Sequence, residues 1–261
     1  MKKTYDFTKE EIVTKLKQIQ IKKNDSIFIH SNLGLFGKLP NVKTADEYCT
    51  VFKDAIFDVI GEEGTLVIPT FSLSFCKNEV FDKKYTPSFE CGIFSEFIRT
   101  DSSSLRSDDA NFSIAAIGKN AKFFTEFSPI DSFGVDSFWE KFLNVDGKLC
   151  RFNLPANYVT FIHYIEKFLN VPYRYDKIFL GYSLIDGLQT KRKFSHFVRD
   201  LSNENHSTDL TKLEKISIDL GLLHKTNLGR GLIYSISSQS LFSLVKSEIR
   251  KDPSLLITGK I

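Results

Sequence analysis

Two short, almost wholly apolar runs, SIFIH at 26–30 and TLVIP at 65–69, flank a stretch from about 44 to 60 whose apolar residues recur at helical spacing. A run that short and that apolar, bounded by turn-forming residues, is the signature of a strand covered on both faces. Strands of this kind need helices packed on them, and the flanking sequence supplies helices. Thr8 with Glu10 and Glu11, followed by Ile12, Leu16 and Ile19, forms the capped, acidic start of a first helix. NFSIAAIGKNAKFFTEF at 111–127 reads as a strand and then a helix, and WEKFLNVDGKLCRFNL at 139–154 as a helix, a tight turn at Asp146–Gly147 and a strand. This order predicts the α/β class, an α/β/α sandwich around a largely parallel central sheet.

Beyond Tyr175 the pattern changes. KIFLGYSLIDGLQTKRKFSHFVRDL at 177–201 alternates apolar and polar residues about a turn at Gly187, which predicts an antiparallel hairpin beside the main sheet. A smaller antiparallel lobe is therefore expected over roughly 176–240. A helix from about Asp209 to Leu220, then a strand and a closing helix within 230–253, complete the chain. Between 72 and 113 no clear strand stands out, and loops rich in Ser, Asp and Asn fill the region where α/β enzymes commonly hold ligands. With no repeat or linker dividing them, all 261 residues read as one domain.

The charge balance excludes several classes of function. Thirty-five basic against 32 acidic residues leave a net +3, and the signs are interspersed, so neither nucleic acid nor a membrane surface is an expected partner. The basic run TKRKF at 190–194 is a solvated face or a contact for one anionic ligand. Four cysteines, Cys49, Cys76, Cys91 and Cys150, are far apart with no CxxC spacing, which fits a reducing cytoplasm. The N-terminal pattern is amphipathic rather than that of a signal peptide, and no window of about 18 apolar residues suggests a membrane span.

Chemistry is concentrated in a few strings. TFIHYIEKF at 160–168 sets His163 and Glu166 three residues apart in an otherwise aliphatic and aromatic segment. On a helix the two share one face, so the carboxylate can orient the imidazole and favour its protonated form. Such a pair serves either as a general base with its orienting partner or as a buried histidine satisfied by a neighbouring acid. A di-iron reading needs a second Glu-x-x-His motif and two further glutamates on facing helices, which the chain does not offer, so no metal is expected. HSNLGLFG at 30–37 lies where a strand gives way to a loop, as either a plain turn or a place where backbone N–H groups approach a ligand; it lacks the GK[ST] of a phosphate loop. In LRSDDANFS at 105–113, Arg106 either pairs with Asp108 or Asp109 or helps to hold an anionic cofactor.

Taken in order, HSNLGLFG, GTLVIPTF at 64–71, RSDDANFSIAAIG at 106–118 and TFIHYIE at 160–166 resemble the aminoglycoside 3-N-acetyltransferase (antibiotic N-acetyltransferase) family. Its members carry HSSLxxLG, GTLxxPTF, RSxHPxxSxxAxG and TxxHxxE. The likeness continues through VPYR at 171–174 to the glycines about Arg230, nearly the whole chain. The resemblance implies an acyl-coenzyme A dependent N-acyltransferase of that family's fold, using acetyl-coenzyme A or another acyl-coenzyme A and no metal. It places the catalytic base on His163 and its orienting partner on Glu166. It places the cofactor side on His30, Ser31, Asn32, Leu33 and Gly37, on Thr70 and Phe71, and on Arg106, Ser107, Asp109 and Ser113. Thr160 and Tyr173 fall on the acceptor side. The chain departs from the pattern where the family's His-Pro reads Asp109-Ala110, where the second serine of HSSL is Asn32, and where a glycine after the GKLCRF strand is Asn153.

The implied chemistry agrees with the residues. An amine attacks a thioester only as the free base, and a base that takes its proton as the C–N bond forms lowers the barrier. Backbone N–H groups of the His30–Gly37 loop can stabilise the developing oxyanion, typically by about 3 kcal/mol per donor. The partner is a small-molecule amine. Asp82, Glu90 and Asp101 are scattered in sequence rather than gathered in an acidic block. An amino sugar, in its nucleotide-linked form a unit for surface polysaccharide synthesis, is therefore the first expected acceptor, with Lys191, Arg192 and Lys193 suited to a diphosphate. An aminoglycoside is the alternative, and a non-catalytic ligand-binding relative the third reading. The oligomeric state, monomer or homodimer, is not encoded legibly.

Overall fold

Strands β1 (Ser26–Ser31), β2 (Thr65–Pro69) and β6 (Lys148–Phe152) form the centre of a seven-stranded sheet in a computed structural model that describes residues 5–260. β1 pairs in parallel with β2 on one side and β6 on the other. Beyond β2 lie β5 (Ile114–Gly118) and β4 (Leu105–Arg106), and beyond β6 lie β10 (Gly231–Ser237) and β9 (His224–Leu228), all antiparallel to their neighbours. The expected α/β sandwich is present, with its parallel part confined to the three central strands. Hydrophobic patterning identifies those strands as doubly covered but carries no information on the direction in which the flanking strands run.

Alternation along the central strands sends side chains to two separate cores. Ile27, Ile29, Leu66, Ile68, Cys150 and Phe152 meet α1 (Lys9–Gln18), α2 (Ala45–Ile60) and α3 (Ile93–Thr100). Phe28, Val67, Leu149 and Ile236 meet α5 (Phe138–Asn144), α6 (Phe161–Leu169), α7 (Thr211–Asp219) and α8 (Ser238–Glu248), with α4 (Ala121–Thr125) beside them. Capping boxes, Thr8 with Glu11 and Thr44 with Glu47, start α1 and α2 by satisfying N–H groups that have no partner within the helix.

The antiparallel lobe is a second sheet of three strands, β3 (Phe81–Asp82), β7 (Arg174–Ile185) and β8 (Leu188–Arg199). The β7–β8 hairpin turns at Asp186 and Gly187, both at positive φ (50° and 80°), the geometry of the two-residue turn that matches strand twist. The lobe ends at Arg199, short of the expected boundary, because β9 and β10 rejoin the main sheet. The 72–113 region holds β3, α3 and β4, each too short to produce a sustained periodic signal. Among the described residues no helix is long and apolar enough to cross a membrane.

Candidate active site

The carboxyl ends of β1, β2 and β6 open onto a cleft of about 520 Å³, the position that open α/β sheets reserve for ligands. The end of β1 supplies His30 and Ser31, and the loop after it Asn32, Leu33 and Gly34; after β2 comes Phe71, and after β6 come Leu154, Asn157, Tyr158, Thr160 and His163. His30 follows Phe28 by two residues and so points to the α6 side of the sheet, where its Nε2 lies 3.0 Å from Thr160 Oγ1. Burial, aided by the Arg151 charge, pushes the His30 imidazole down to about 3, so it is neutral. A short helical turn, Leu33–Leu35, follows β1. The first N–H groups of such a turn have no partner within it, and Leu33 and Gly34 both line the cleft. The Asn32 N–H is taken, donating to Phe152 O at 2.9 Å.

α6 carries the pair expected of its sequence. His163 Nδ1 is 2.8 Å from Glu166 Oε2, with Glu166 fully buried and the histidine side chain 26% exposed on the cleft. A carboxylate only accepts, so Nδ1 carries the proton and Nε2 presents its lone pair. Phe133 meets the ring edge-on at 5.5 Å. Burial pulls the His163 pKa below its ordinary value and outweighs the Glu166 hydrogen bond that raises it. The carboxylate orients the imidazole, as the spacing predicts, but the ring is the free base rather than the protonated form.

Arg174 completes the arrangement. It opens β7 four residues after Asn170, the left-handed C-cap of α6, and its Nε lies 2.7 Å from Glu166 Oε2. Burial raises the Glu166 pKa, and the His163 hydrogen bond together with Arg174 more than offsets it, so the carboxyl stays ionised. Tyr173 is 3% exposed and absent from the cleft wall; burial and the neighbouring Glu166 raise its phenol. It is therefore a buried neighbour of the carboxylate, set outside the cleft wall. Arg174 was within reach of the sequence in the string VPYR. Its role depends on the tight α6–β7 connection, which no spacing rule gives.

Of the expected cofactor residues, His30, Ser31, Asn32, Leu33 and Phe71 line the cleft with Thr160 and His163, and Gly37 lines an adjoining groove. Thr70, Arg106, Ser107, Asp109 and Ser113 do not, because the protein itself uses their polar atoms. Arg106 donates to Thr70 O (2.9 Å), Thr86 O (2.6 Å) and Ser113 Oγ (3.2 Å) and stacks on Phe81; burial lowers it to about 10, still a cation. Ser113 donates to Thr70 O at 2.6 Å, and the Thr70 hydroxyl bonds Ser113 Oγ. Ser107 Oγ accepts from Ile114 N at 2.9 Å. Asp109 accepts from Asn111 N (2.8 Å), Phe112 N (2.9 Å) and the Ser132 hydroxyl, so it organises a loop. Asn153 sits at φ 60°, a left-handed conformation that asparagine tolerates better than most residues, which explains its standing where a glycine is expected.

Comparison with solved structures gives the same architecture. The chain superposes on the complex described as AAC-IIIb binary with CoASH with a TM-score of 0.80 at 18% identity, covering 94% of this chain and 96% of that one. Aminoglycoside acetyltransferase AAC(3)-IIb gives 0.81 at 20% identity, covering 94% and 97%. AAC-VIa bound to sisomicin gives 0.78 at 20%, covering 94% and 98%. At these identities the likeness is one of fold. No curated protein matches the chain in sequence at a significant level. The family model for aminoglycoside 3-N-acetyltransferase matches residues 28–249, from within β1 to the end of α8, and the chain belongs to that family.

Proposed function

We propose that the protein transfers the acetyl group of acetyl-coenzyme A to an amino group of a polycationic amino sugar of the aminoglycoside type, with His163 as general base. The observation that carries this reading is a neutral imidazole, oriented through Nδ1 by a buried carboxylate and open at Nε2 to a cleft at the ends of the parallel strands.

The residues suit the cosubstrate. Ser31 Oγ is a buried hydroxyl with no protein partner at the end of β1, and Phe71, Phe89 and Phe112 offer apolar walls to a thiol arm. Through Gly34 and Ile93 the cleft continues into a groove of about 530 Å³ lined by Gly37, Lys38, Lys43 and the start of α2, where two lysines supply charge for phosphates. Bound acetyl-coenzyme A supplies a thioester carbonyl at which the amine nitrogen forms its bond as the C–S bond breaks. His163 Nε2 takes the proton that the nitrogen gives up and returns one to the departing sulfur, so no charge is left over. Glu166 holds the imidazole in the required tautomer and offsets its transient positive charge, while Arg174 keeps Glu166 ionised.

The acceptor reading rests on a second groove of about 680 Å³ that shares Glu90, Cys91, Gly92 and Ile93 with the cleft. It gathers Asp46, Glu90, Glu96 and Asp101, carboxylates that are dispersed in sequence. Lys53 and Arg99 neutralise Asp101 and Glu96 at 2.7 and 2.8 Å, whereas Asp46 and Glu90 form no ion pair among the described residues. Two carboxylates without ion-pair partners, in a groove that joins the cleft, favour a substrate with several ammonium groups. The run expected to meet a diphosphate lies on β8 away from the cleft, with Arg192 paired to Asp108, so nothing in the site favours a nucleotide-linked sugar. The test is His163→Ala: thiol release from acetyl-coenzyme A with sisomicin as acceptor should fall at least a hundredfold with the fold intact. Unchanged turnover would remove His163 from the mechanism.

A further inference from the structure

Behind the cleft, between the sheet and helices α7 and α8, lies an apolar void that acetyl transfer does not require. Phe28, Leu149, Leu213, Ile236 and Leu241 are among the apolar residues of its wall. Its volume, about 40 Å³ for the centres of water-sized groups, is room for about three methylenes, since one water needs about 10–15 Å³ on the same measure. Most of the polar groups on the wall already have partners within the protein. His30 bonds Thr160, Arg151 pairs with Glu214, and Ser217 Oγ donates to Leu213 O at 2.7 Å. A polar ligand would find few partners there, and an alkyl chain needs none.

The void meets the cleft along His30, Tyr158 and Thr160, which line both. Thr160 lies one helical turn before His163, so the wall that void and cleft share stands beside the base. The acidic groove shares no residue with the void. The geometry points to a pocket for the tail of the acyl group: we propose that the protein accepts straight acyl chains of three to five carbons, an inference that rests on the acyl-transfer reading above. The acyl carbon, bond changes and proton path are those of acetyl transfer, and only the chain beyond the carbonyl differs.

The experiment measures calorimetric binding of acetyl- and butyryl-coenzyme A without acceptor, and the kcat/KM ratio of the two donors with sisomicin. Burying a methylene is worth about a fourfold gain, so butyryl-coenzyme A should bind about fifteenfold more tightly. Ser217→Leu fills the void from α7 and should bring that ratio to about one; Leu241→Phe, filling it from α8, serves if the first variant does not fold. A ratio near one in the unmodified protein, or a gain that survives both substitutions, overturns the pocket. N-alkylated acceptors that gain affinity in a Ser217-dependent way, with acetyl-coenzyme A as donor, would assign the void to the acceptor and overturn it too. Failure to bind or use any acyl-coenzyme A would instead remove the acyl-transfer reading, and the pocket with it.

Discussion

His163 is pulled in two directions, and the balance fixes its pH dependence. Burial and the Arg174 charge favour the neutral ring, Glu166 favours the imidazolium, and the net displacement is downward. A base works only when unprotonated, so kcat/KM should hold its plateau at neutral pH and fall through an acid limb below the ordinary histidine value of about 6.5. Glu166→Gln removes the interaction that raises the imidazole; its limb should move still lower while the plateau drops about a hundredfold. Arg174→Met removes a charge that lowers it, and its limb should move up. Opposite displacements in the two pH profiles are the expected result, and displacements of the same sign would refute this account of the pair. Arg174→Met should also cost about 3 kcal/mol in denaturant unfolding, because it takes a partner from a buried carboxylate. The depressed Glu166 pKa stabilises the fold above its unfolded value, and that stabilisation is lost as pH falls through the folded one; in Arg174→Met it should be lost at higher pH.

At the scale of elements, the RSDDANFS segment separates what the sequence makes legible from what it does not. Its match to a family motif is readable, but the direction of its side chains is not. Asp109, standing for a histidine, has turned inward to hold two backbone N–H groups and the Ser132 hydroxyl. Asp109→Ala should therefore lower stability by about 2 kcal/mol, the cost of leaving buried donors unpaired, and change the KM for acetyl-coenzyme A less than threefold. A tenfold rise in that KM at unaltered stability would put Asp109 against the cofactor. Elsewhere legibility follows periodicity. β1 and β2 are largely apolar because both faces are covered, and the His163–Glu166 pair is a spacing within one helix. β9, HKTNL, is an edge strand whose alternate residues face water, so it carries no apolar run. Asn153 and Gly231 show the same limit: a Cβ on Gly231 would lie 2.6 Å from Asn153 Oδ1, a complementarity between β6 and β10 that only the folded sheet reveals.

At the scale of the whole molecule, a net charge of +3 hides a strongly uneven distribution around one cleft. Lys38 and Lys43 line one groove and Asp46 and Glu90 its neighbour, the two meeting at Ala45 and Ile93, so an anionic donor and a cationic acceptor have distinct surfaces next to the cleft. The carboxylates come from the start of α2 and from the loop before α3, where Glu90 is held at φ 54°. Two exposed charges guide a polycation mainly by long-range attraction, which salt screens over about 10 Å at 0.1 M. Replacing both, Asp46→Asn with Glu90→Gln, should raise the KM for sisomicin about tenfold at low ionic strength and change kcat less than twofold. The difference should shrink as salt is added, because only the screened interaction has been removed, and the KM for acetyl-coenzyme A should stay where it is. A KM for sisomicin indifferent to both substitutions and to salt would mean that the acceptor enters elsewhere, leaving His163 in place while withdrawing the argument for a polycationic substrate.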